Sequence, residues 1–151
     1  YAHACATVLR AAESRIVGRE VQPHDQLVQE ITEQYGADGA HVPDVLAWQC
    51  PKRSLRHAFV GTTHPADVHS EVLTRVGQTL QQRPMIATFF LDDRQWSDFC
   101  AFYAARPSAI LQARHLRGRT SSTEGHAVVV EGEGEVSTIS GLVRYCKCKN
   151  S

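Results

Sequence analysis

The hydrophobic pattern of the N-terminal part of the chain predicts three helices. The first segment, YAHACATVLRAAESRIVGRE, is rich in alanine and other strong helix formers, and its helical pattern stops at Gly18. A second segment, HDQLVQEITEQY, places Leu27 and Ile31 on one face and ends at Gly36. A short third segment, DVLAWQ, ends at Pro51.

The pattern changes in the middle of the chain. LRHAFV (55–60) predicts a strand. Four apolar residues then recur at every fourth position, namely Val68, Val72, Val76 and Leu80. This spacing predicts an amphipathic helix, which Pro84 ends. MIATFFL reads as a buried strand, and DDRQWSDFCAFYAA returns to a helical pattern.

The last part of the chain is typical of strands. HAVVVEG predicts a strand, EGEGE a glycine-containing hairpin turn, and LVRYCKCK an alternating strand in which Cys146 and Cys148 face inward on the same side as Asn150. A helical N-terminal part followed by a strand-rich C-terminal part indicates an α+β protein with two segregated lobes.

Composition excludes several classes of protein. The chain carries 16 basic and 16 acidic residues, whereas a nucleic-acid binder should present a basic face. No apolar run approaches the length of a membrane-spanning helix. Five cysteines, an odd number, do not describe a dense disulfide framework, and Cys146 and Cys148 have no second ligand pair nearby to complete a zinc site. We therefore expect no metal, no nucleic acid and no membrane as partners.

One histidine suggests chemistry. His126 stands between Gly125 and the apolar run Ala127–Val130, where packing alone explains it poorly. A thiol enzyme needs a cysteine held as thiolate, a histidine that exchanges its proton, and a third group that orients the imidazole. His126 and Asn150 are candidates for the second and third roles.

The sequence resembles the papain-like cysteine peptidases over nearly its whole length. GHAVVVEG is similar to the histidine strand of that family, KNS to the start of its Lys-Asn-Ser-Trp-Gly motif, and YAHACAT to the residues that follow its nucleophile. PHDQLVQEI, YGADGA, RPMIATFF and WSDFCAFYAARPSAIL resemble further family segments in the same order. Each similarity is weak alone, and their order makes the set specific.

The resemblance implies catalytic roles for two residues of this chain. His126 would hold the nucleophile as a thiolate–imidazolium pair and then protonate the leaving amine, and Asn150 would orient the imidazole. The nucleophilic cysteine would stand immediately before Tyr1, outside this chain, and the chain would end inside the Asn-Ser-Trp-Gly motif. The chain by itself is then expected to be inactive.

The resemblance also implies a substrate site. The backbone of Gly39 and Ala40 would pair with an extended peptide, and Thr88 and Ala127, with His41 as the weakest candidate, would lie near the apolar pocket. The partners would be a peptide or protein substrate and, in the same cleft, a pro-segment or protein inhibitor. No cofactor would be needed, and the location would be lysosomal, vacuolar or secreted.

The implied fold is a two-lobe papain-like arrangement with the active-site cleft between the lobes. We expect a helical lobe over residues 1–61 and a β-barrel-like lobe over residues 62–151, both partial. Departures from the family pattern include Ala37 in place of a disulfide cysteine, Ala40 in place of the second glycine, and His3 in place of an aromatic core residue.

Three alternatives remain open at this point. A catalytically inactive relative would keep the fold as a peptide-binding module. A thiol transferase or synthase would use the same residues on a different amide. Cys5 is the rival nucleophile, although it lies more than one turn into the first helix, where the helical amides are already paired.

Overall fold

The fold is α+β, as the sequence predicts at this level. The computed structural model describes residues 1–59, 70–116, 124–139 and 141–149. In these ranges the chain forms five α-helices, a short 3-10 turn and three strands. The elements are α1 (Ala2–Glu13), α2 (His24–Tyr35), α3 (Val42–Lys52), α4 (Ser70–Leu80), β1 (Met85–Leu91), α5 (Asp93–Ala105), the 3-10 turn (Ala113–His115), β2 (Glu124–Thr138) and β3 (Gly141–Lys149).

The first two helices confirm the predicted helices, with one difference in length. In α2, Leu27 and Ile31 are fully buried, as their spacing predicts. Helix α1 ends at Glu13 rather than continuing to Gly18. In the turn that follows, Val17 is fully exposed and buries no apolar surface. The chain instead turns between α1 and α2, and Gly18 has a φ of +77°, which suits glycine.

The third helix is longer than its apolar pattern indicates, and the strand predicted after it does not form over its described part. Helix α3 includes Pro51 and ends one residue later. The backbone amide of Leu55 donates a hydrogen bond of 2.8 Å to the carbonyl of Cys50, which turns the chain back on the helix end. Residues 55–59 are therefore irregular, and Phe59 is exposed.

The later helices confirm their predictions, and β1 confirms its predicted bounds but not its predicted burial. Helix α4 is described from Ser70, and the start predicted for it lies in residues 60–69, outside the described residues. Strand β1 has the predicted bounds but is only partly buried, since Phe90 is exposed. Helix α5 starts with a capping box, in which the Asp92 side chain accepts a hydrogen bond from the amide of Gln95 and the Gln95 side chain accepts one from the amide of Asp92.

The described strands form an antiparallel sheet in the order β1-β2-β3. The prediction that EGEGE forms a hairpin turn is wrong. The segment is part of β2, which pairs with β3 as far as Thr138, opposite Gly141. Glu131 is an extra residue in the ladder, a β-bulge. Glycine is needed in this strand for space, because a Cβ at Gly134 would lie 2.5 Å from the Tyr145 ring.

The predicted inward orientation of Cys146 and Cys148 is wrong, because both residues are exposed. Cys146 lies opposite Glu133 on β2. Arg144, two positions before Cys146 and therefore on the same face, pairs with Glu133 at 3.1 Å. A face that carries an ion pair stays in contact with water, since burial of charge is costly.

The chain divides into two compact units. The first contains residues Tyr1–Ala87 and Ala127–Ser151, and the second contains Thr88–His126. The lobe boundary predicted after residue 61 lies within residues 60–69, which the structure does not describe, and it stays a prediction. No helix in the described part of the chain is long and apolar enough to cross a membrane.

The core of the first unit is formed by the first three helices and two residues of β2. Its buried apolar residues are Ala2, Ala4, Cys5, Ala6, Val8, Leu9, Leu27, Ile31, Val42, Val45, Cys50, Ala127 and Val129. Small residues on one face of α1 allow α2 to pack closely against it. The second unit has a different composition, because aromatic side chains from β1 and α5 pack around the start of β2.

Candidate functional site

His126, the predicted catalytic histidine, lies in β2 near its start, in the second unit, and is half-buried. Its imidazole is surrounded by three aromatic rings. The centroid distances are 5.0 Å to Trp96, 5.3 Å to Phe89 and 6.3 Å to Phe99. The Trp96 plane is tilted by 57° to the imidazole, whereas the Phe89 and Phe99 planes are inclined by 62° and 61°, close to the edge-to-face geometry that aromatic quadrupoles favour.

Two elements supply these rings. Phe89 comes from β1, whereas Trp96 and Phe99 stand three positions apart on α5, the spacing that puts two side chains on one helix face. Trp96 and Phe99 stack with an interplanar angle of 4° and a centroid distance of 5.2 Å. Gly125, the residue before His126, lies against a different and exposed ring, since a Cβ there would lie 3.2 Å from the Phe90 ring.

Asn150, the predicted orienting residue, lies outside the described residues. Strand β3 is described as far as Lys149, which lies opposite Val129 in the register of the sheet. The role of Asn150 therefore stays a prediction.

The predicted peptide-binding edge, Gly39 and Ala40, lies between α2 and α3 in the first unit. Gly39 is exposed and has a φ of +132°, a backbone conformation that favours glycine. Ala40 is half-buried and packs against the core cluster. Beside it, His41 is exposed, and its Nδ1 lies 3.2 Å from the Asp44 carboxylate.

The two predicted pocket residues differ in exposure. Thr88 is exposed on β1 and belongs to the second unit. Ala127 is only 5% exposed and belongs to the same core cluster of the first unit that Ala40 packs against. The structure thus brings Ala40 and Ala127 into one cluster.

Cys5, the rival nucleophile, is fully buried. Burial raises the pKa of its thiol to about 12, the N-terminal amino group opposes this shift, and Cys50 adds to it. Burial also raises the pKa of Cys50, and partial desolvation raises that of Cys146 and Cys148, although both residues are exposed. A catalytic thiol needs a lowered pKa, so none of these four cysteines is prepared to act as a nucleophile.

The N-terminal end of helix α1 has no side-chain cap. The helix begins at Ala2, and Tyr1 is its N-cap residue. The first backbone amides of a helix have no partner within the helix, and they favour a negative charge at its N-terminal end. Cys5 lies beyond these free amides, since its own amide donates to the Tyr1 carbonyl at 3.0 Å.

Within the described residues, no group of three or more His, Cys, Asp or Glu side chains could hold a metal ion. The aromatic residues around His126 are the feature that the sequence analysis missed. The spacing of Trp96 and Phe99 on a helix was the available signal, but the contact with His126 spans about thirty residues of chain and could not be predicted from local spacing.

Comparison with known proteins finds no family model that matches the chain, and neither a curated protein nor a solved structure that is similar to it. The resemblance to the papain-like peptidases therefore rests on the motifs and on their order along the sequence.

Proposed function

We propose that this chain is the larger part of a two-lobed papain-like cysteine peptidase, with its nucleophilic cysteine immediately before Tyr1. The ordered motifs support this proposal. The structural observation that carries it is the placement of His126, whose half-buried imidazole is held among three aromatic rings near the start of a strand. A histidine that exchanges protons with a thiol needs such a defined orientation.

The reaction would use a cysteine at the N-terminal end of α1. His126 takes the thiol proton, and the thiolate attacks the carbonyl carbon of the scissile peptide bond. The carbon–nitrogen bond then breaks, and the imidazolium donates its proton to the leaving amine. A water molecule, deprotonated by His126, hydrolyses the thioester and restores the thiol. Asn150 would orient the imidazole by a hydrogen bond to one ring nitrogen.

A test compares the chain carrying a cysteine directly before Tyr1 with the same chain carrying serine there. Iodoacetamide labelling, read by mass spectrometry of the N-terminal peptide, reports the thiolate at each pH. A thiolate–imidazolium pair stays reactive at about pH 5–6, whereas an ordinary thiol with a pKa of about 8.5 does not. We expect labelling of the added cysteine at acidic pH, cleavage of a fluorogenic peptide, and loss of both with His126→Ala.

The proposal would be contradicted if the added cysteine were labelled with the pH dependence of an ordinary thiol and if His126→Ala left that labelling unchanged. Labelling at acidic pH without peptide cleavage would favour the transferase on another amide. If the natural residue before Tyr1 is not cysteine, the peptide-binding module becomes the better account, and binding of an extended peptide without cleavage would be the measurement to make.

A further inference from the structure

We propose that Trp96 is a positioning residue that fixes the plane of the His126 imidazole for proton transfer. This inference rests on the proposed peptidase function and gives a role to Trp96, which lies in one of the family-like segments but receives no role from the resemblance. Trp96 acts through His126 and does not itself need to touch the substrate.

The first argument is the number of directions from which the imidazole is held. The ring torsion of a histidine is broad and close to two-fold unless packing restricts it. Here Phe89 contacts the imidazole from β1, and Trp96 and Phe99 contact it from α5. Rotation of the His126 ring would therefore drive it into an aromatic side chain of one element or the other.

The second argument singles out Trp96 among the three rings. Its centroid is the nearest to the imidazole, at 5.0 Å, and its own plane is fixed by the parallel stack on Phe99. Phe99 is in turn packed edge-on against Tyr103 at 5.0 Å, one turn further along the same helix. The ring nearest to His126 is thus supported by a continuous row of aromatic side chains.

The third argument is that the start of α5 is fixed. Trp96 lies in its first turn, where helices commonly fray, but the capping box of Asp92 and Gln95 pairs the first amides. The amide of Trp96 also donates a hydrogen bond of 2.8 Å to the carbonyl of Asp92. The backbone that carries the indole is therefore well held, as a positioning residue requires.

The first measurement tests the geometry and needs no activity. Ring currents shift the protons of an imidazole that lies among aromatic rings, so the His126 ring protons should be displaced from those of the exposed His41 in proton NMR of the full chain. The peaks are assigned by their loss in His126→Gln. We expect Trp96→Phe to keep most of this displacement and Trp96→Leu to lose most of it.

The second measurement tests the function in the chain with cysteine before Tyr1. We expect Trp96→Leu to slow acid-pH labelling and peptide cleavage by about tenfold or more, because small misplacements of a reacting group cost up to about 100-fold. Trp96→Phe should stay within about threefold. Phe102→Leu is the matched control, since Phe102 lies on the same helix but packs against Tyr103 and His115.

The outcomes separate the two proposals. If the chain with unchanged Trp96 shows no His126-dependent labelling, the peptidase function fails and the positioning role falls with it. If that labelling is present but a folded Trp96→Leu variant keeps the NMR displacement or the full rate, the peptidase function stands and the role of Trp96 is overturned. Equal losses in Trp96→Leu and Phe102→Leu would also overturn it, because they would indicate general loosening of α5.

Discussion

The guanidinium of Arg53 lies 2.9 Å from the Glu30 carboxylate, in an ion pair in which the arginine side chain is almost fully buried. Arg53 also donates hydrogen bonds to Gln22 and to both the backbone and the side chain of Gln49, and its Nε lies 3.8 Å from the Glu13 carboxylate. Because Glu13, Glu30 and Gln49 belong to α1, α2 and α3, one cation ties together the three helices of the first unit.

Removal of this cation should strongly destabilise the first unit. Arg53→Met would remove the almost fully buried cation that pairs with Glu30 and Glu13 and donates to Gln49, and loss of one member of a buried pair costs about 3–5 kcal/mol. Urea unfolding followed by circular dichroism measures this loss. Lys52→Met is the control, because Lys52 pairs with the same Glu30 from an exposed position and should cost about 1 kcal/mol or less. Equal losses for both variants would contradict the central role of Arg53.

The same pair should make stability depend on pH in the acid range. Partial burial would raise the pKa of Glu30, but the hydrogen bonds and charges of Arg53 and Lys52 outweigh it and hold the pKa below its ordinary value. This stabilisation is therefore present above the unfolded pKa of about 4.3 and is lost as the pH falls through the lower folded value.

Glu30→Gln removes this titration, so the stability advantage of the wild type over the variant should shrink between about pH 5 and about pH 3. The free energy of unfolding, measured in urea at each pH, tests this. Glu33→Gln changes an exposed carboxylate on the same helix and serves as the control. An advantage that stayed constant across this range would show that Glu30 does not titrate differently on folding.

Cys5 should resist thiol reagents in the folded protein. It is fully buried and its pKa is raised to about 12, so at pH 8 its thiolate fraction is on the order of 10⁻⁴. Timed alkylation followed by mass spectrometry should modify the exposed Cys100, Cys146 and Cys148 in the native protein, and Cys5 only after urea is added. Rapid modification of Cys5 in the native protein would disprove this burial and reopen its candidacy as a nucleophile.

The capping box of α5 should be measurable as stability. Asp92→Ala removes the side-chain acceptor for the Gln95 amide at a fully buried position, and loss of an N-cap costs about 0.5–2 kcal/mol. Asp92→Asn keeps an oxygen that can accept this bond and should lose less. We expect the thermal unfolding midpoint to be lowest for Asp92→Ala, intermediate for Asp92→Asn and highest for the wild type. Identical midpoints for all three proteins would show that the cap contributes nothing.

Local spacing was sufficient to predict the helices, because their stability depends on one continuous apolar face. Leu27 and Ile31 show this, since their four-residue separation predicted both the helix and its buried side. Features that depend on distant parts of the chain were missed. The glycines of EGEGE suggested a turn, but Gly134 instead leaves room for Tyr145, which only the pairing of β2 with β3 brings there.

The candidate site divides in the same way. The strand that carries His126 could be predicted from its apolar run, whereas its contacts with Phe89 and Trp96 depend on how β1 and α5 pack around it. The burial of Arg53 was likewise missed, because an arginine beside the exposed Lys52 gives no local signal of it.

The bulge at Glu131 changes which side of the sheet each later residue of β2 occupies. Cys146 and Cys148 lie on the same face of β3. Before the bulge, the even-numbered residues of β2, such as Val130, share that face, and after it the odd-numbered residues, such as Glu133, do so. Because of this exchange of faces, one continuous strand contains two different segments. The valine run is buried on both faces, and the carboxylates of the acidic segment that follows lie beside Arg144. In evolution, single-residue insertions and deletions around position 131 would therefore be selected against more strongly than most substitutions there, since each would exchange the two faces of half a strand.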